Sequence, residues 1–333
     1  MKALVLSDKN RPLVLQDVPD LIPASDEVIV KIHAAALNHR DLWIQKGQYA
    51  GLKYPIILGS DGSGIVAAAG DHANASLVGK EVIINPALNW GDDPTHQHPT
   101  NFKILGLPND GTFAEYVKVP ANNIIEKPTH LSFEEAAAVP LAGTTAYRAL
   151  FSRGRLRANE KVLITGVGGG VALFALQFAI VANAEVYVTS SDQEKIDKAI
   201  IAGATAGVNY KNEDWVERLQ ELAGSFDMIV DGAAGDNISH LLNLASPGGR
   251  IIFYGSTRGN PAHIEIRRIF WKQLNVLGST MGSPEDFQSM VSFVNQHHLH
   301  PMIDKIFSFA EGENALRRMD NAHQFGKLVI RII

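Results

Sequence analysis

The sequence contains no cysteine at any of its 333 positions. Disulfides, thiolate zinc sites, iron–sulfur clusters and cysteine nucleophiles are therefore excluded. A basic surplus is also missing, because 35 acidic residues outnumber 30 lysines and arginines and leave a formal net charge of −5. That balance gives no basic surface of the kind that binds nucleic acid or an anionic membrane.

The chain also lacks an uninterrupted apolar run long enough to cross a bilayer. Its longest apolar stretch, residues 171–188, is broken by Gln177, Asn183 and Glu185. A buried helix followed by a buried strand explains that stretch better than a membrane span. The N-terminal MKALVLSDKNRPLVL has a short apolar run followed by charges, which is typical of a first strand rather than a signal peptide. We expect a cytoplasmic protein.

The pattern of predicted strands and helices changes along the chain, and the chain is long enough for two domains. Residues 1–120 hold short β-rich runs separated by Gly, Pro, Asp and Asn, which predicts an irregular antiparallel β-barrel. From about Glu134 strand-like and helix-like runs alternate, as in KVLITG, VALFALQFAIVAN and EVYVTSS. Such alternation indicates a parallel sheet with helices on both faces, so the fold class is α/β.

A glycine-rich turn, ITGVGGGVALFALQFA, directly follows a predicted strand and opens a helix. The strict G-x-G-x-x-G spacing is not present. A tight turn without a ligand does not explain four glycines in five positions, whereas a nucleotide site does, because glycines let the backbone approach a pyrophosphate at the helix N-terminus. We predict that Gly168, Gly169, Gly170 and Val171 contact the cofactor.

The end of the next strand should select the cofactor. An NAD site normally places an acid there to bind the ribose hydroxyls. Here Ser190 and Ser191 stand at that point, with Lys195 one turn into the following helix. Two hydroxyls and a cation suit a 2′-phosphate, which favours NADP. Asp192 would favour NAD if the strand ended later; alternatively Ser191 or Asp192 only caps the helix, and Lys195 is solvated.

The chain resembles the medium-chain dehydrogenase/reductase superfamily, which includes zinc alcohol dehydrogenases and zinc-free quinone oxidoreductases. The segments that carry the resemblance are ALNHRDLWIQKGQY (36–49), YPIILGSDGSGIV (54–66), GTFAEYVKVP (111–120), AAVPLAGTTAYRAL (137–150) and the glycine-rich turn. The resemblance implies a GroES-like β-barrel domain formed by residues 1–125 with 290–333. It also implies a Rossmann doubly wound parallel-sheet domain over 126–289.

The same resemblance makes a metal unexpected in this chain. The three catalytic zinc ligands of the family fall on Asn38, Ser60 and Leu141. A leucine cannot ligate, neutral hydroxyl and amide groups are poor zinc ligands, and Asp61 alone cannot hold the ion. The family's structural zinc lobe corresponds to the cysteine-free loop 89–111. That loop is interpreted as flexible and polar, although His96, His98, Asp92 and Asp93 in it could bind a stray metal.

Further site residues follow only from the resemblance. Asn38 matches the asparagine that zinc-free relatives carry beside the nicotinamide, and Tyr49 matches a tyrosine that enoyl reductases use near the substrate. Tyr49 could donate a proton, with solvent as an alternative source, or could be a loop aromatic without a role. The remaining matches, all expected at the cofactor, are Thr145, Tyr210, Ser256 and Lys327.

Without zinc, the expected reaction is hydride transfer from NADPH to an electron-poor acceptor, an α,β-unsaturated carbonyl or a quinone. The alternatives are a non-catalytic NADPH-binding structural or interaction protein and a zinc-free alcohol dehydrogenase-like enzyme. Relatives commonly pair their parallel sheets edge to edge, so the resemblance implies a homodimer. Residues 264–272, IEIRRIFWK, are interpreted as a helix that caps the sheet or joins subunits.

Overall fold

The computed structural model describes the backbone of residues 1–333 and the side chains of all of them except residues 72 and 73. Two compact units are present. Unit 1 consists of Met1–Ala142 and Ser283–Ile333, and unit 2 of Gly143–Gly282. The sequence-based domain limits at residues 125 and 290 stay a prediction.

The strands, in chain order, are β1 (Lys2–Leu6), β2 (Val14–Asp17), β3 (Glu27–Ala36), β4 (Ile56–Ile57), β5 (Asp61–Ala69), β6 (Glu81–Ile84), β7 (Ala87–Leu88), β8 (Lys103–Ile104), β9 (Tyr116–Pro120), β10 (Ile124–Glu126), β11 (Lys161–Ile164), β12 (Glu185–Ser190), β13 (Ala206–Asn209), β14 (Phe226–Asp231), β15 (Ala245–Phe253), β16 (Asn275–Gly278), β17 (Ile303–Ser308) and β18 (Lys327–Arg331).

The α-helices are α1 (His39–Gln45), α2 (Phe133–Ala138), α3 (Pro140–Tyr147), α4 (Gly170–Val181), α5 (Gln193–Ile201), α6 (Trp215–Ala223), α7 (Ile238–Leu244), α8 (Ile266–Trp271), α9 (Pro284–Gln296) and α10 (Gly312–Asp320). Across the described residues, none of these helices combines the length and the apolarity that crossing a bilayer requires. The predicted cytoplasmic location stays a prediction.

The main sheet of unit 1 has the strand order β10-β6-β5-β3-β18-β17, with β9 also paired to β3. Its pairs are antiparallel except for β17 with β18. A smaller antiparallel sheet, β2-β1-β4, packs into the same hydrophobic core, in which Leu4, Ile32 and Phe113 are fully buried. The antiparallel β domain predicted from the first part of the chain is therefore confirmed.

The register of the central strands brings three distant parts of unit 1 together. Ala36 at the end of β3 pairs with Asp61 at the start of β5 on one side. On the other side it pairs with Val329 near the start of β18. Asn38, Asp61 and Lys327 are consequently placed within reach of one another, although they lie far apart in sequence.

Unit 2 is built on a sheet of parallel strands in the order β13-β12-β11-β14-β15-β16. Counted within the unit, this is the 3-2-1-4-5-6 order of a doubly wound nucleotide-binding fold. The glycine-rich turn follows β11, the first strand of the unit, and leads into α4. The predicted parallel-sheet domain is confirmed, and the turn lies at the edge of the sheet where such folds bind ligands.

One predicted helix differs from the structure. The sequence FEEAAAVPLAGTTAYRALF reads as a single helical stretch, but the structure divides it into α2, α3 and a π-helical turn, Arg148–Arg153. The division falls at Pro140, which has no N–H to donate within a helix and is therefore favoured at a helix start.

Candidate functional site

A buried ammonium group organises the polar centre of unit 1. Lys327 Nζ donates hydrogen bonds to Leu37 O at 2.7 Å, Asn38 Oδ1 at 2.8 Å and Asp61 Oδ2 at 3.1 Å. An ammonium has three N–H donors, so this geometry satisfies each of them. The side chain of Lys327 is 4% exposed and that of Asp61 is fully buried. We refer to Lys327, Asn38 and Asp61 as the ammonium cluster.

The orientation of the Asn38 amide follows from its two charged neighbours. Its Oδ1 accepts from Lys327, and its Nδ2 donates to Asp61 Oδ2 at 2.9 Å. The reversed amide would direct N–H groups at an ammonium and an oxygen at a carboxylate, which is unfavourable on both sides. The second N–H of Nδ2 has no acceptor among the described residues, so it remains able to bind a ligand oxygen.

The carboxylate of Asp41 fixes the backbone that carries the ammonium cluster. Its Oδ2 accepts from Asn38 N at 2.8 Å at the start of α1, and its Oδ1 accepts from Gly59 N at 3.3 Å. Complete burial raises the pKa of Asp41 to about 6, with nearby Asp61 also raising it, while Arg40 and the two backbone donors lower it. Both carboxylate oxygens are used in fixing backbone, so Asp41 acts as a structural hydrogen-bond acceptor here.

A second cation lies beside the first. Arg40 Nη1 donates to Ser60 Oγ and to Leu105 O, each at 2.7 Å, and its guanidinium lies 5.2 Å from the centroid of the Tyr49 ring. Arg40 Nε is 3.4 Å from the Tyr49 hydroxyl. We refer to Arg40, Ser60 and Tyr49 as the arginine cluster. It is joined to the ammonium cluster along the chain, since Ser60 is adjacent to Asp61 and Arg40 lies two residues after Asn38.

Unit 1 contains a cavity of about 340 Å³ against the arginine cluster. Its polar lining comes from Arg40, Tyr49 and Lys103, and its apolar lining includes Phe102, Ile104 and Leu107. Concave, mostly apolar sites with a few polar groups are typical of small-molecule binding. Tyr49, predicted from the resemblance alone, therefore lies on the wall of a cavity, with its hydroxyl beside a cation.

The residues at the family's zinc positions do not fit a zinc ion. Asn38 Oδ1 is bound by an ammonium, and Ser60 Oγ accepts from a guanidinium and donates to Leu105 O at 2.8 Å. Leu141 has no side-chain donor atom for a metal, and its backbone N–H donates to Asp61 Oδ1 at 2.8 Å. Two positive groups thus hold the oxygens that a cation would need. Among the described side chains, no three His, Asp or Glu residues are arranged to hold a metal ion, including those of the 89–111 loop.

The glycine-rich turn of unit 2 fits a pyrophosphate. Gly169 is the residue that precedes α4, and Gly170 and Val171 begin the helix, so their backbone N–H groups lie at its N-terminus. Gly168 has a φ of 127°, which favours glycine. A Cβ atom added at Gly169 would meet no other atom within 4 Å, so the space beside Gly169, at the N-terminus of α4, is open to a ligand.

The carboxyl ends of β12 and β13 hold the residues predicted to select the cofactor. Ser190 pairs with Asn209 in the sheet, and Tyr210 N donates to Ser190 O at 3.0 Å. Asp192 caps α5, because its Oδ1 accepts from Glu194 N at 2.9 Å. The Asp192 carboxylate, the group that would favour NAD, is therefore hydrogen-bonded to the backbone of α5. Ser190, Ser191 and Tyr210 lie at the neighbouring ends of β12 and β13.

Two cations were missed by sequence reasoning. The guanidinium of Arg258 lies 5.3 Å from the centroid of the Tyr210 ring, beside the predicted 2′-phosphate residues. Arg40 lies in the NHRD segment, in which the resemblance assigns a role to Asn38. No spacing rule in the sequence relates Arg258 to Tyr210. The alternation of strands and helices does suggest that the loops after β13 and β15 lie at the same edge of the parallel sheet.

The remaining predicted residues are divided between the units. Thr145 is buried in α3 and Ser256 is exposed after β15, both in unit 2 with the glycine-rich turn. Asn38, Tyr49 and Lys327 belong to unit 1. Lys327, predicted at the cofactor, uses its ammonium hydrogens within the ammonium cluster; its contact with a cofactor stays a prediction.

Comparison with known proteins agrees with this architecture. Residues 24–129 match the family model described as alcohol dehydrogenase GroES-like domain, and residues 170–296 match that described as zinc-binding dehydrogenase. The chain is 34% identical to the zinc-type alcohol dehydrogenase-like protein YogA of Leptosphaeria maculans, over 96% of this chain and 95% of the relative. It is 27% identical to an acryloyl-coenzyme A reductase of Sulfurisphaera tokodaii, over 99% and 100%.

A solved structure described as an NAD-dependent alcohol dehydrogenase superimposes with a TM-score of 0.94 at 34% sequence identity, covering 100% of both chains. The relatives named here are oxidoreductases, and their similarity extends over both units. On its parallel 3-2-1-4-5-6 sheet, its antiparallel β unit and these matches, the chain belongs to the medium-chain dehydrogenase/reductase superfamily.

Proposed function

We propose that this protein is a zinc-independent, NADPH-dependent oxidoreductase that reduces an electron-poor acceptor, an α,β-unsaturated carbonyl compound or a quinone. The observation that carries the proposal is the ammonium cluster, in which Lys327 and Asp61 hold Asn38 with one amide N–H unused. The relative described as an acryloyl-coenzyme A reductase supports an activated alkene as acceptor.

Asn38 is proposed to bind the acceptor oxygen. Oxygen gains negative charge as hydride adds to the conjugated carbon, and a fixed N–H donor in a buried site stabilises that charge without reorganisation. Lys327 reinforces the donor, since it holds Oδ1 and thereby polarises the amide. A bound NADPH would supply the hydride, and the chain's residues orient the acceptor, exclude water and deliver the proton.

Tyr49 is proposed to donate the proton to the carbon next to the reduced carbonyl. Its hydroxyl lies at the cavity and is 3.4 Å from Arg40 Nε. The positive charge of Arg40, whose guanidinium carbon lies 5.2 Å from the Tyr49 ring centroid, stabilises the phenolate that remains after the proton leaves. A quinone needs this step less, because its reduced oxygen can take a proton from water.

Zinc independence is proposed from the charges in unit 1. A divalent cation at Asn38 and Ser60 would have to displace the donors from Lys327 and Arg40 and would lie close to both positive groups. Like charges in a buried site repel strongly, because the local dielectric is low.

NADP is proposed as the cofactor from the residues at the ends of β12 and β13. Ser190, Ser191 and Lys195 would bind the 2′-phosphate, with Tyr210 packed against the adenosine. Arg258, which lies over the Tyr210 ring, adds a second cation in unit 2. Gly168, Gly169, Gly170 and Val171 would hold the pyrophosphate, and Thr145, Ser256 and Lys327 are kept as further cofactor contacts.

A homodimer is proposed from the edge of the unit 2 sheet. β16 is the last strand of that sheet, so its outer backbone groups are open to pairing. Nearby residues expose large apolar side chains, since Phe270 is 63% exposed, Trp271 78% and Val276 41%. Edge-to-edge pairing of two copies would cover them.

The substitution Tyr49→Phe tests the proton donor. We expect kcat for a neutral enone such as 2-cyclohexenone to fall about 100-fold, the usual scale of general acid catalysis. NADPH affinity should stay the same, and quinone reduction should fall less. Tyr116→Phe, a tyrosine outside the cavity, is the matched control. Intact enone reduction in Tyr49→Phe, with none in Asn38→Ala, would show that the proton comes from solvent.

The cofactor preference can be measured by titrating NADPH and NADH against intrinsic tryptophan fluorescence. We expect NADPH to bind at least about tenfold more tightly, because the 2′-phosphate gains charge-assisted hydrogen bonds. Lys195→Ala should reduce the ratio, whereas Lys198→Ala, one turn further along α5, should leave it unchanged. Equal affinities in the unmodified protein would indicate that Asp192 selects NAD.

Light scattering tests the dimer. We expect twice the chain mass of 36.1 kDa, and the double substitution Phe270→Asp and Trp271→Glu should reduce it to one chain, because charges on an apolar contact are costly to bury. Ile201→Glu, at an exposed position next to the opposite edge strand β13, serves as control. A single-chain mass for the unmodified protein would refute the dimer.

A further inference from the structure

Arg40 is a buried cation that forms no close ion pair among the described residues, although the neighbouring buried carboxyl of Asp41 interacts with it electrostatically. It is 7% exposed, yet its hydrogen bonds go to the neutral oxygens of Ser60, Leu105, Ile104 and Tyr49. None of the ion pairs found in the described part of the chain includes it, and none includes Lys103 of the same cavity. Both oxygens of Asp41 accept from backbone N–H groups, so no described carboxylate oxygen hydrogen-bonds the guanidinium. A buried arginine with that deficit beside a cavity indicates an anionic ligand.

The nitrogen atoms of the Arg40 guanidinium differ in the lengths of their hydrogen bonds. Nη1 makes two short hydrogen bonds, each 2.7 Å long, which anchor the group to Ser60 and to the backbone. Nε and Nη2 make only long contacts, at 3.4 Å to the Tyr49 hydroxyl and 3.5 Å to Ile104 O. Nε and Nη2 form the side edge of the guanidinium, which pairs with both oxygens of a carboxylate.

The cavity has the composition expected for such an anion. Tyr49 and Ile104, the two weak contacts of that edge, both line it, so the edge borders the cavity. Its lining includes Arg40 and Lys103 and no aspartate or glutamate. The remaining lining is largely apolar, with Phe102 and Leu107 positioned to contact a short hydrocarbon segment. A volume of about 340 Å³ accommodates a small molecule.

We propose that the acceptor carries a carboxylate, which Arg40 binds through its Nε and Nη2 edge, with Lys103 adding positive charge. This inference rests on the proposed function and specifies its substrate class. A carboxylate conjugated directly to the alkene would resist hydride, because it is already negative. The substrate class is therefore an oxo-alkenoic acid, in which a ketone activates the double bond and an apolar spacer separates it from the carboxylate.

The chemistry leaves the carboxylate unchanged. Hydride adds to the alkene carbon distant from the ketone, the C=C π bond breaks, and a proton is added to the carbon next to the ketone. NADPH is oxidised and the alkene is reduced by the same two electrons. Arg40 binds the substrate carboxylate in this scheme, and that contact contributes to substrate affinity, whereas its charge beside Tyr49 contributes to the proton transfer.

Calorimetric binding tests the inference without turnover. The saturated probe 6-oxoheptanoate and its methyl ester share the ketone and the spacer, but the ester has a methyl group in place of the negative charge. We expect the acid to bind at least about tenfold more tightly than the ester, because a charge-assisted pair is lost. Arg40→Gln should remove that difference, Lys103→Gln should reduce it, and Lys53→Gln, an exposed lysine outside the cavity, should leave it unchanged.

Kinetics with 6-oxo-4-heptenoate and its methyl ester, in which two methylene groups separate the alkene from the carboxyl carbon, complete the test. The unmodified protein should favour the acid in kcat/KM by about tenfold, mainly through KM, and Arg40→Lys should retain part of that preference. Equal values for acid and ester in the unmodified protein would overturn the inference, even if Arg40→Gln does not fold. If the protein reduces 2-cyclohexenone but shows no preference for the acid over the ester, the carboxylate site is refuted and the proposed function stands. If it binds the acid more tightly than the ester but reduces none of the acceptors, the proposed function is refuted and the carboxylate site stands.

Discussion

The polar centre of unit 1 depends on one constraint: a lysine ammonium buried in the protein must have every N–H bonded. Lys327 meets this requirement with a backbone carbonyl, an amide oxygen and a carboxylate. Removing one partner from a buried ion pair costs about 3–5 kcal/mol in measured cases, because the other charge is left unpaired. The ends of β3, β5 and β18 are therefore held together by side-chain chemistry as well as by the sheet register.

This constraint also determines the chemistry that the centre can perform. Asn38 is oriented by two opposite charges, and Asp41 fixes the backbone on which it stands. Arg40 lies next to this group and is anchored through Ser60. At Asn38 and Ser60, two of the positions that correspond to the family's zinc ligands, the side chains accept hydrogen bonds from an ammonium and a guanidinium. In the proposed enzyme these cations polarise the hydrogen-bond donor and bind the anionic end of the acceptor.

Sequence reasoning predicted the fold well, because hydrophobic alternation and the glycine-rich turn are local signals. The sequence predicted the antiparallel β domain, the parallel sheet and the turn before α4. The prediction was wrong at Pro140, where helix-forming residues on both sides suggested one continuous helix. The site was only partly accessible. Asn38 and Tyr49 came from resemblance, whereas the pairing of Lys327 with Asp61 depends on strand register over 266 residues. The sequence did not single out Arg40, because its position beside a cavity without a carboxylate oxygen on its guanidinium depends on its three-dimensional neighbours.

Metal content after challenge with zinc tests the central claim most directly. The purified protein should be incubated with excess Zn²⁺, desalted, and analysed by mass spectrometry of the elements, with enone reduction measured on the same sample. The account predicts far less than one zinc ion per chain and NADPH-dependent reduction that survives a strong chelator. One zinc ion per chain, lost on Asp61→Asn together with activity, would show that a metal displaces Lys327 and would contradict the account.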